Sequence, residues 1–344
     1  MPSFEAPSSM SHKIRITAIQ ILTAIFFGLL VVASARVDAA DKVKFAYAAP
    51  SVNVSMLWIT KEARLFEKNG VDAEVLFLDP SLVQKAMITG EIHLAMMTGG
   101  LMAPPKLAGI DLVMLAGFVN KYVFRLVVRP EITSPADLKG KRAGISPLGS
   151  AADRGLRLLL AKWGLNPDKD MIFLQMSGGG EPARIAGLIA GSIDATLVNP
   201  PSHKKAVEAG MKILANMEDM DIHLQHIGLV TSQRWQSKNL DAARRIMKSF
   251  VEGIHLMRSN PKLAKTALGK YMKITNETEL EETYQLLRKL IATKPYPTHE
   301  GFRAVFDELS AKIPAAKTAN PKDFIDTTLL EELDKAGYID QLYK

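Results

Sequence analysis

The stretch that decides the fold is residues 132–150, which reads ITSPADLKGKRAGISPLGS. It begins as a short helix, because Ser134 is a favourable N-cap and Pro135 suits the first helical position. Gly140 can end this helix in the left-handed conformation. A short strand is predicted over 142–145, and the tight turn after it leads into a long amphipathic helix. A strand that feeds a Gly/Ser turn at a helix N-terminus offers unpaired N–H groups, which favour an anionic or polar group.

Strands and helices alternate on both sides of this stretch. Apolar strands are predicted at 42–47, 73–78, 92–97 and 112–116, and in a second series at 142–145, 171–175 and 195–198. This alternation indicates an α/β fold in which each sheet is covered on both faces. From residue 240 onward only helical patterns remain, which predict helices at 240–259, 261–272, 277–291, 300–311 and 328–336.

Length and composition limit the classes of protein to which the chain can belong. It has 344 residues, of which 47% are hydrophobic, which is enough for about two domains. The net charge is +7, but the basic residues are spread out and never occur in runs longer than two. We therefore expect a solvated surface with mild steering of anions, and no nucleic-acid partner.

The first 39 residues have the pattern of a cleavable signal peptide. Lys13 and Arg15 precede an apolar run at 16–33, and Val37-Asp38-Ala39 fits a cleavage site. The alternative is an uncleaved anchor, although the run is slightly short of the ~20 residues that span a membrane. The true start could also be Met10.

The absence of cysteine bears on both compartment and chemistry. The chain contains no cysteine, so it has neither disulfides nor a site for lipid attachment, and cysteine catalysis and thiolate metal sites are excluded. Together with the signal peptide, this predicts a freely soluble periplasmic protein and not a lipoprotein.

Several phrases of the sequence, taken in order, resemble the nitrate/taurine/alkanesulfonate-type substrate-binding proteins of ABC importers. They run from about residue 43 to about 254 and comprise LWI at 57–59, LFEKNG at 65–70, TGEI at 89–92, PADLKGK at 135–141 and AGSIDA at 190–195. The resemblance implies a type II periplasmic-binding-protein fold, in which two α/β lobes enclose a ligand cleft and the C-terminal helices pack on lobe one. It places the crossings between lobes near 125–131 and 221–228. The expected domains are a signal peptide at 1–39, lobe one at 40–127 and 225–344, and lobe two at 128–224.

Candidate ligand-binding residues follow from the position of each loop. In open α/β sheets the ligand lies beyond the carboxyl ends of the strands. Two glycine-containing helix starts, at 98–100 and 149–150, could clamp a carboxylate or sulfonate from opposite lobes. The alternative is that these are ordinary turns and caps, and the family resemblance favours ligand binding. The predicted ligand-binding residues are Ser51, Asn53, Thr98, Gly99, Gly100, Asn120, Ser146, Gly149, Ser150 and Asn199.

Several other residues have two interpretations that the sequence leaves open. Trp58 could cover the ligand or belong to the core. Arg125 could pair with an anion or form an ion pair between the lobes. The SGGG run at 177–180 is weak as a phosphate cradle without a following Gly-Lys-Ser/Thr, and a flexible turn is the simpler interpretation. His223 and His226 are three residues apart, but no cluster has metal-ligand spacing.

The resemblance implies a periplasmic solute-binding component of an ABC importer. It would capture a small organic anion by hinge closure and deliver it, as a monomer, to an inner-membrane permease, with no cofactor, metal or catalytic residue. The rival is an exported enzyme of the same fold, a lyase or synthase acting on a small organic acid or pyrimidine precursor. Its general base would come from Asp79, His203 or Asp153. The yeast-type pyrimidine synthases that resemble this family carry a cysteine-rich motif, which this chain lacks. A ligand-sensing domain of a membrane receptor is a third option.

Overall fold

The strands form two separate sheets of five. The computed structural model describes Ser3 and residues 41–48, 50–146, 148, 150–176, 180–220 and 222–344, so the predicted signal peptide lies, apart from Ser3, outside the described residues. Residues 40–344 form one unit. The strands of the described residues are β1 (Asp41–Tyr47), β2 (Val71–Phe77), β3 (Leu94–Met97), β4 (Leu112–Lys121), β5 (Arg125–Val128), β6 (Lys141–Ile145), β7 (Met171–Gln175), β8 (Ala195–Val198), β9 (Lys212–Asn216) and β10 (His223–Ser232).

Helices cover both sheets and continue to the C-terminus. Those of the described residues are α1 (Ser55–Glu62), α2 (Leu65–Lys68), α3 (Pro80–Thr89), α4 (Gly99–Leu107), α5 (Ala151–Lys162), α6 (Gly180–Ile189), α7 (His203–Glu208), α8 (Gln233–Lys238), α9 (Leu240–Ser259), α10 (Pro261–Met272), α11 (Glu277–Leu290), α12 (His299–Leu309), α13 (Thr328–Lys335) and α14 (Tyr338–Gln341). The predicted helices at 240–259 and 261–272 are confirmed residue for residue as α9 and α10. In the described part of the chain, no helix is long and apolar enough to cross a bilayer.

The two sheets share one plan. The first has the order β2-β1-β3-β10-β4 and the second the order β7-β6-β8-β5-β9. In each, the parallel core strands are joined by one strand of opposite direction, β10 in the first sheet and β5 in the second. We call residues 41–121 and 223–344, which build on the first sheet, lobe one, and residues 125–216, which build on the second, lobe two.

The chain passes between the lobes twice. It leaves the first sheet after β4 and enters the second at β5, through residues 122–124, and it returns from β9 to β10 through residues 217–222. The predicted lobe boundaries, after residues 127 and 224, fall inside β5 and β10. The apolar run over 122–128 reads as a single strand, and its sequence does not reveal where pairing begins with the second sheet.

The C-terminal helices pack on lobe one, as the family resemblance implies. The rings of Phe45, Phe66 and Phe250 meet in the lobe-one core, with Phe45 and Phe66 centroids 5.0 Å apart. Helix α9 lies against α1 at Gly253, where an added Cβ would collide with the Thr60 hydroxyl. Trp58 is fully buried in the same core and stacks on Tyr271, with 5.0 Å between centroids. The core interpretation of Trp58 is therefore the one that the structure supports.

Candidate ligand-binding cleft

Polar side chains from the two lobes meet at the carboxyl ends of the central strands. Asn53 follows β1 in a 3-10 helix of lobe one, and Asn199 follows β8 of lobe two. The Asn53 Nδ2 group donates a hydrogen bond to Asn199 Oδ1 at 3.1 Å and lies 3.4 Å from Nε2 of His226, a β10 residue. Two predicted site residues, far apart in sequence, are thus in direct contact between the lobes.

His226 is a neutral imidazole inside this contact. Its side chain is buried, and burial, assisted by the charge of Arg154, lowers the pKa of His226 to about 3. Because an amide N–H faces Nε2, the ring proton belongs on Nδ1. Among the described residues, neither His226 Nδ1 nor Asn53 Oδ1 has a hydrogen-bond partner. The contact therefore contains one buried donor, the Nδ1–H group of His226, and one buried acceptor, the Oδ1 atom of Asn53.

An ion pair also joins the lobes. Arg154, in the first turn of α5 in lobe two, pairs with Glu308 of α12 in lobe one, with 3.1 Å between Nε and Oε2. The Tyr122 hydroxyl, in the first crossing, donates to Glu308 Oε1 at 2.9 Å. Burial raises the pKa of Glu308, while Arg154 opposes that shift. The pKa of Tyr122 is also raised, first by its burial and then by the charge of Glu308.

The two predicted helix starts are capped as their sequences suggest. Thr98 Oγ1 accepts a hydrogen bond from the Leu101 N–H at 3.0 Å, and Ser150 Oγ accepts one from the Asp153 N–H at 3.3 Å. Gly100 lies so close to the Arg154 guanidinium that an added Cβ would collide with it. The N-terminus of α4 and the first turn of α5 therefore approach each other around this cation.

Two of the other predicted residues, Ser146 and Asn120, have hydrogen-bond partners within a lobe. Ser146 Oγ accepts from Arg184 Nη1 at 2.6 Å, and Asn120 Nδ2 donates to the Tyr296 carbonyl at 2.9 Å within lobe one. Ser51 is buried at the start of the 3-10 helix, and a Cβ on Gly99 would lie 2.8 Å from the Gln225 carbonyl oxygen. Gly149 and residues 177–179 lie outside the described residues. Whether any of the ten residues touches ligand stays a prediction.

A partly buried network behind Asn199 fixes its side chain. Glu181 Oε2 accepts hydrogen bonds from the backbone N–H of Asn199 at 3.0 Å and from Asn199 Nδ2 at 2.9 Å. Glu181 lies 3.7 Å from Arg184, whose guanidinium also donates to Thr196 Oγ1. Burial lowers the pKa of Arg184, and the charge of Glu181 opposes that shift. Asn199 is therefore presented to lobe one in one orientation, with its Oδ1 toward Asn53.

Arg125, the first residue of β5, contacts the second crossing. It pairs with Glu218 of the second crossing at 3.1 Å and contacts His203 Nε2. Arg125 therefore forms an ion pair, but its partner lies in the second crossing and not in lobe one, so the pair does not join the two lobes as the second interpretation supposed. Burial, followed by the charge of Arg125, lowers the pKa of His203 to about 4.

The other two candidate bases also have partners. Asp79 caps α3 by accepting from the Ser81 N–H at 3.0 Å, and Asp153 pairs with Arg157 at 2.8 Å. No three His, Asp or Glu side chains of the described residues are grouped to hold a metal ion.

Sequence reasoning missed the charged members of the cleft. Arg154, Glu308, Glu181 and Arg184 were not among the predicted residues, and His226 was considered only as a metal ligand. The position of Arg154, one turn after the Ser150 cap, was a usable signal, because first-turn side chains lie near the helix N-terminus. Glu308 carries no local signal, since only the packing of α12 brings it to the cleft.

Two α/β lobes on separate sheets, joined by two crossings and meeting through polar side chains at their strand ends, define a type II periplasmic-binding-protein fold. The profile of the NMT1/THI5 like family matches residues 51–264, more than half of the chain, so the protein belongs to that family.

Comparison with individual proteins agrees with this class. A Brachyspira hyodysenteriae protein, provisionally named an ABC transporter periplasmic binding protein, is 24% identical over 214 residues, which cover 62% of this chain and 57% of that protein. The periplasmic aliphatic sulphonate binding protein SsuA of Escherichia coli superposes with a TM-score of 0.68 at 19% identity, covering 85% of this chain and 99% of SsuA.

The same fold also occurs in a structure of DszB. A DszB mutant in complex with biphenyl-2-sulfinic acid superposes with a TM-score of 0.67 at 14% identity, covering 86% of this chain and 99% of that one. At this identity the likeness concerns the fold alone.

Proposed function

We propose that the protein is the periplasmic solute-binding component of an ABC importer, and that it captures a small organic anion between its lobes. The observation that carries the proposal is the contact of Asn53 in lobe one with Asn199 in lobe two beside His226. These side chains stand at strand ends, where ligands of open α/β sheets bind. Membership of the NMT1/THI5 like family and the likeness to a sulphonate-binding protein support the same function.

Binding would act through closure of the lobes. Residues 122–124 and 217–222 are the two connections about which the lobes can move. A ligand that touches both lobes favours the closed state by the difference between its affinities for the closed and open states. The closed form would then dock, as a monomer, on an inner-membrane permease, and the bound solute would leave chemically unchanged.

The chemistry of the cleft favours a ligand with an anionic head group. The capped N-termini of α4 and α5 carry partial positive charge, and the Arg154 guanidinium lies beside Gly100 at the start of α4. The net charge of +7 would steer anions toward the surface. The predicted signal peptide and the absence of cysteine support a soluble periplasmic location.

A thermal-shift screen of the chain from residue 40 onward tests the proposal. The panel would hold aliphatic sulfonates, nitrate, aliphatic and aromatic carboxylates, and pyrimidines. A ligand at 100 times its Kd should add about 2.7 kcal/mol to the free energy of unfolding. Recovery of the ligand unchanged is expected, whereas its conversion to a product would favour an enzyme of the same fold.

A pair of variants localises the binding. N199A removes the acceptor that meets Asn53, so the ligand-induced shift should become small. N276A is the matched control, because Asn276 only caps α11 by accepting from the Glu279 N–H at 2.9 Å. It should lower the starting Tm by the loss of a cap and keep the ligand-induced shift. If the ligand raises the Tm of N199A as much as that of N276A, the ligand does not bind at the contact of Asn53 with Asn199.

A further inference from the structure

Building on the proposed function, we propose that Arg154 recognises the anionic group of the ligand and that Glu308 is an internal competitor for the same guanidinium. Ligand binding then exchanges one carboxylate for another anion, a carboxylate or a sulfonate. The pair would therefore set the selectivity of the cleft for anionic over neutral solutes, beyond its role in joining the lobes.

Arg154 stands between the two lobes, where both could contact a bound anion. It projects from the first turn of a lobe-two helix, its side chain is 13% exposed, and its guanidinium lies against Gly100 at the start of a lobe-one helix. The positive ends of two helices and a guanidinium thus converge in one buried place. Positive charge that is concentrated away from water requires an anion close by, and Glu308 is the carboxylate that pairs with it.

Glu308 does not devote both of its carboxylate oxygens to Arg154. Its Oε2 lies 3.1 Å from Nε of Arg154. Its Oε1 accepts from the Tyr122 hydroxyl, so the carboxylate is divided between two partners. Arginine binds carboxylates most strongly through two parallel N–H donors. A ligand carboxylate or sulfonate that is free to rotate can meet that geometry better than Glu308 does.

Glu308 is mostly buried, which disfavours its charged form. Its side chain is 12% exposed, and burial raises its pKa even with Arg154 beside it. Burial therefore favours the protonated acid once a ligand anion has taken the guanidinium, so the exchange need not leave an unpaired buried carboxylate. Tyr122 can keep its hydrogen bond to Glu308 after the exchange.

A second donor lies near the same place. The Nδ1 atom of His226 carries the ring proton, is buried and has no partner among the described residues. The His226 ring lies 5.7 Å, centroid to centroid, from the ring of Tyr122, whose hydroxyl donates to Glu308 beside Arg154. One oxygen of the ligand anion would accept from Arg154 and another from His226, while Asn53 Oδ1 remains as an acceptor for a donor on the ligand.

The test compares E308Q with the wild type by isothermal titration. The probes are hexanesulfonate, hexanoate and the neutral hexanamide. The glutamine amide at position 308 is neutral and no longer competes with an anionic ligand. E308Q should therefore bind hexanesulfonate and hexanoate on the order of tenfold more tightly than the wild type. Its affinity for hexanamide should equal that of the wild type. R154Q should lose anion binding, and the double variant R154Q/E308Q, which keeps the charge balanced, should fold and show no preference for anions.

The matched control is E282Q. Glu282 of α11 pairs with Lys204 of α7, so this ion pair also joins the lobes, but the Glu282 side chain is 59% exposed. The same change of charge should leave both anion affinities at the wild-type value. A rise in affinity in E282Q equal to that in E308Q would mean that only the net charge matters, and would overturn the inference.

The outcomes separate this inference from the proposed function. If the wild type binds an anion and E308Q binds it equally or more weakly, Glu308 only joins the lobes and does not compete with the ligand. The proposed function is then supported and the inference about Glu308 is refuted. If only E308Q binds, Glu308 competes as proposed. If neither protein binds any anion, the proposed ligand class fails and the inference fails with it.

Discussion

Buried ionisable side chains determine how single residues behave in this molecule. Arg154, Glu308 and His226 lie between the lobes, where a charge without a partner is costly. Arg154 and Glu308 meet this cost by pairing. His226 meets it by staying neutral, which leaves its ring available as a hydrogen-bond donor at neutral pH.

The neutrality of His226 predicts a loss of stability in mild acid. Its pKa is about 3 in the folded protein against a usual 6.5, so the unfolded chain binds more protons between these values. Stability therefore falls as the pH drops below about 6.5. The contribution of His226 to the free energy of unfolding should be about 2 kcal/mol smaller at pH 5 than at pH 7.

Urea unfolding of H226Q at pH 5, 6 and 7 checks this expectation. The variant should show a weaker dependence on pH than the wild type. H299Q, which removes an exposed imidazole, should keep the wild-type dependence. Identical dependence in the wild type and H226Q would mean that His226 is not held neutral by the fold.

At the scale of elements, close approach of helices depends on small side chains. Helix α9 packs against α1 where Gly253 faces Thr60, and Thr60 Oγ1 donates to the Met56 carbonyl within α1 at 2.6 Å. Because the hydroxyl is fixed by that hydrogen bond, a methyl group at position 253 would have to push the helices apart. The C-terminal helices therefore hold lobe one through steric fit as well as burial.

This packing predicts the effect of G253A. The variant should lower the free energy of unfolding by about 1–3 kcal/mol, the usual cost of overpacking a core. T60A removes the opposing hydroxyl, so the double variant T60A/G253A should be more stable than the sum of the two single changes predicts. Chemical denaturation of the four proteins measures the coupling, and simple additivity would exclude the clash.

At the scale of the whole molecule, one buried apolar cluster runs through both lobes. It includes Met97 and Met114 of lobe one, Leu126 and Leu156 of lobe two, and Tyr122 between them. The start of β5 is also tied to the second crossing by the ion pair of Arg125 and Glu218, whose side chains are 23% and 4% exposed. The lobes therefore share both a core and a clamp at their connections.

We accordingly expect heat to unfold residues 40–344 in one transition. We also expect R125M to lower the free energy of unfolding strongly. Removing Arg125 leaves Glu218 buried without its partner, a change that costs about 3–5 kcal/mol in buried pairs. R129M is the matched control, because its partner Glu131 is 53% exposed and surface pairs contribute about 0–1 kcal/mol. Calorimetry of the wild type, R125M and R129M measures both expectations. Equal losses of stability in R125M and R129M would contradict the expected effect of the buried pair. Two separate transitions in the wild type would show that the lobes unfold independently.

The sequence by itself determined the α/β alternation, the late helices, the family and the capped helix starts. These features depend on residues that are close along the chain. Apolar periodicity predicts α9 and α10 to the residue, and Thr98 and Ser150 cap their helices as their types suggest. The strand-end rule also selected Asn53 and Asn199, which the structure brings together, although their contact with ligand stays a prediction.

Only the tertiary structure decided the direction of β5 and β10, the points at which the chain crosses and the charged side chains of the cleft. Asn53 and His226 are 173 positions apart, and Arg154 reaches Glu308 only because α12 packs beside the first crossing. No periodicity or motif links such residues, since the packing of separate elements sets their distance. The local sequence therefore predicted candidate residues at the strand ends, and the packing of the two lobes decided which of them meet and which charged side chains lie beside them.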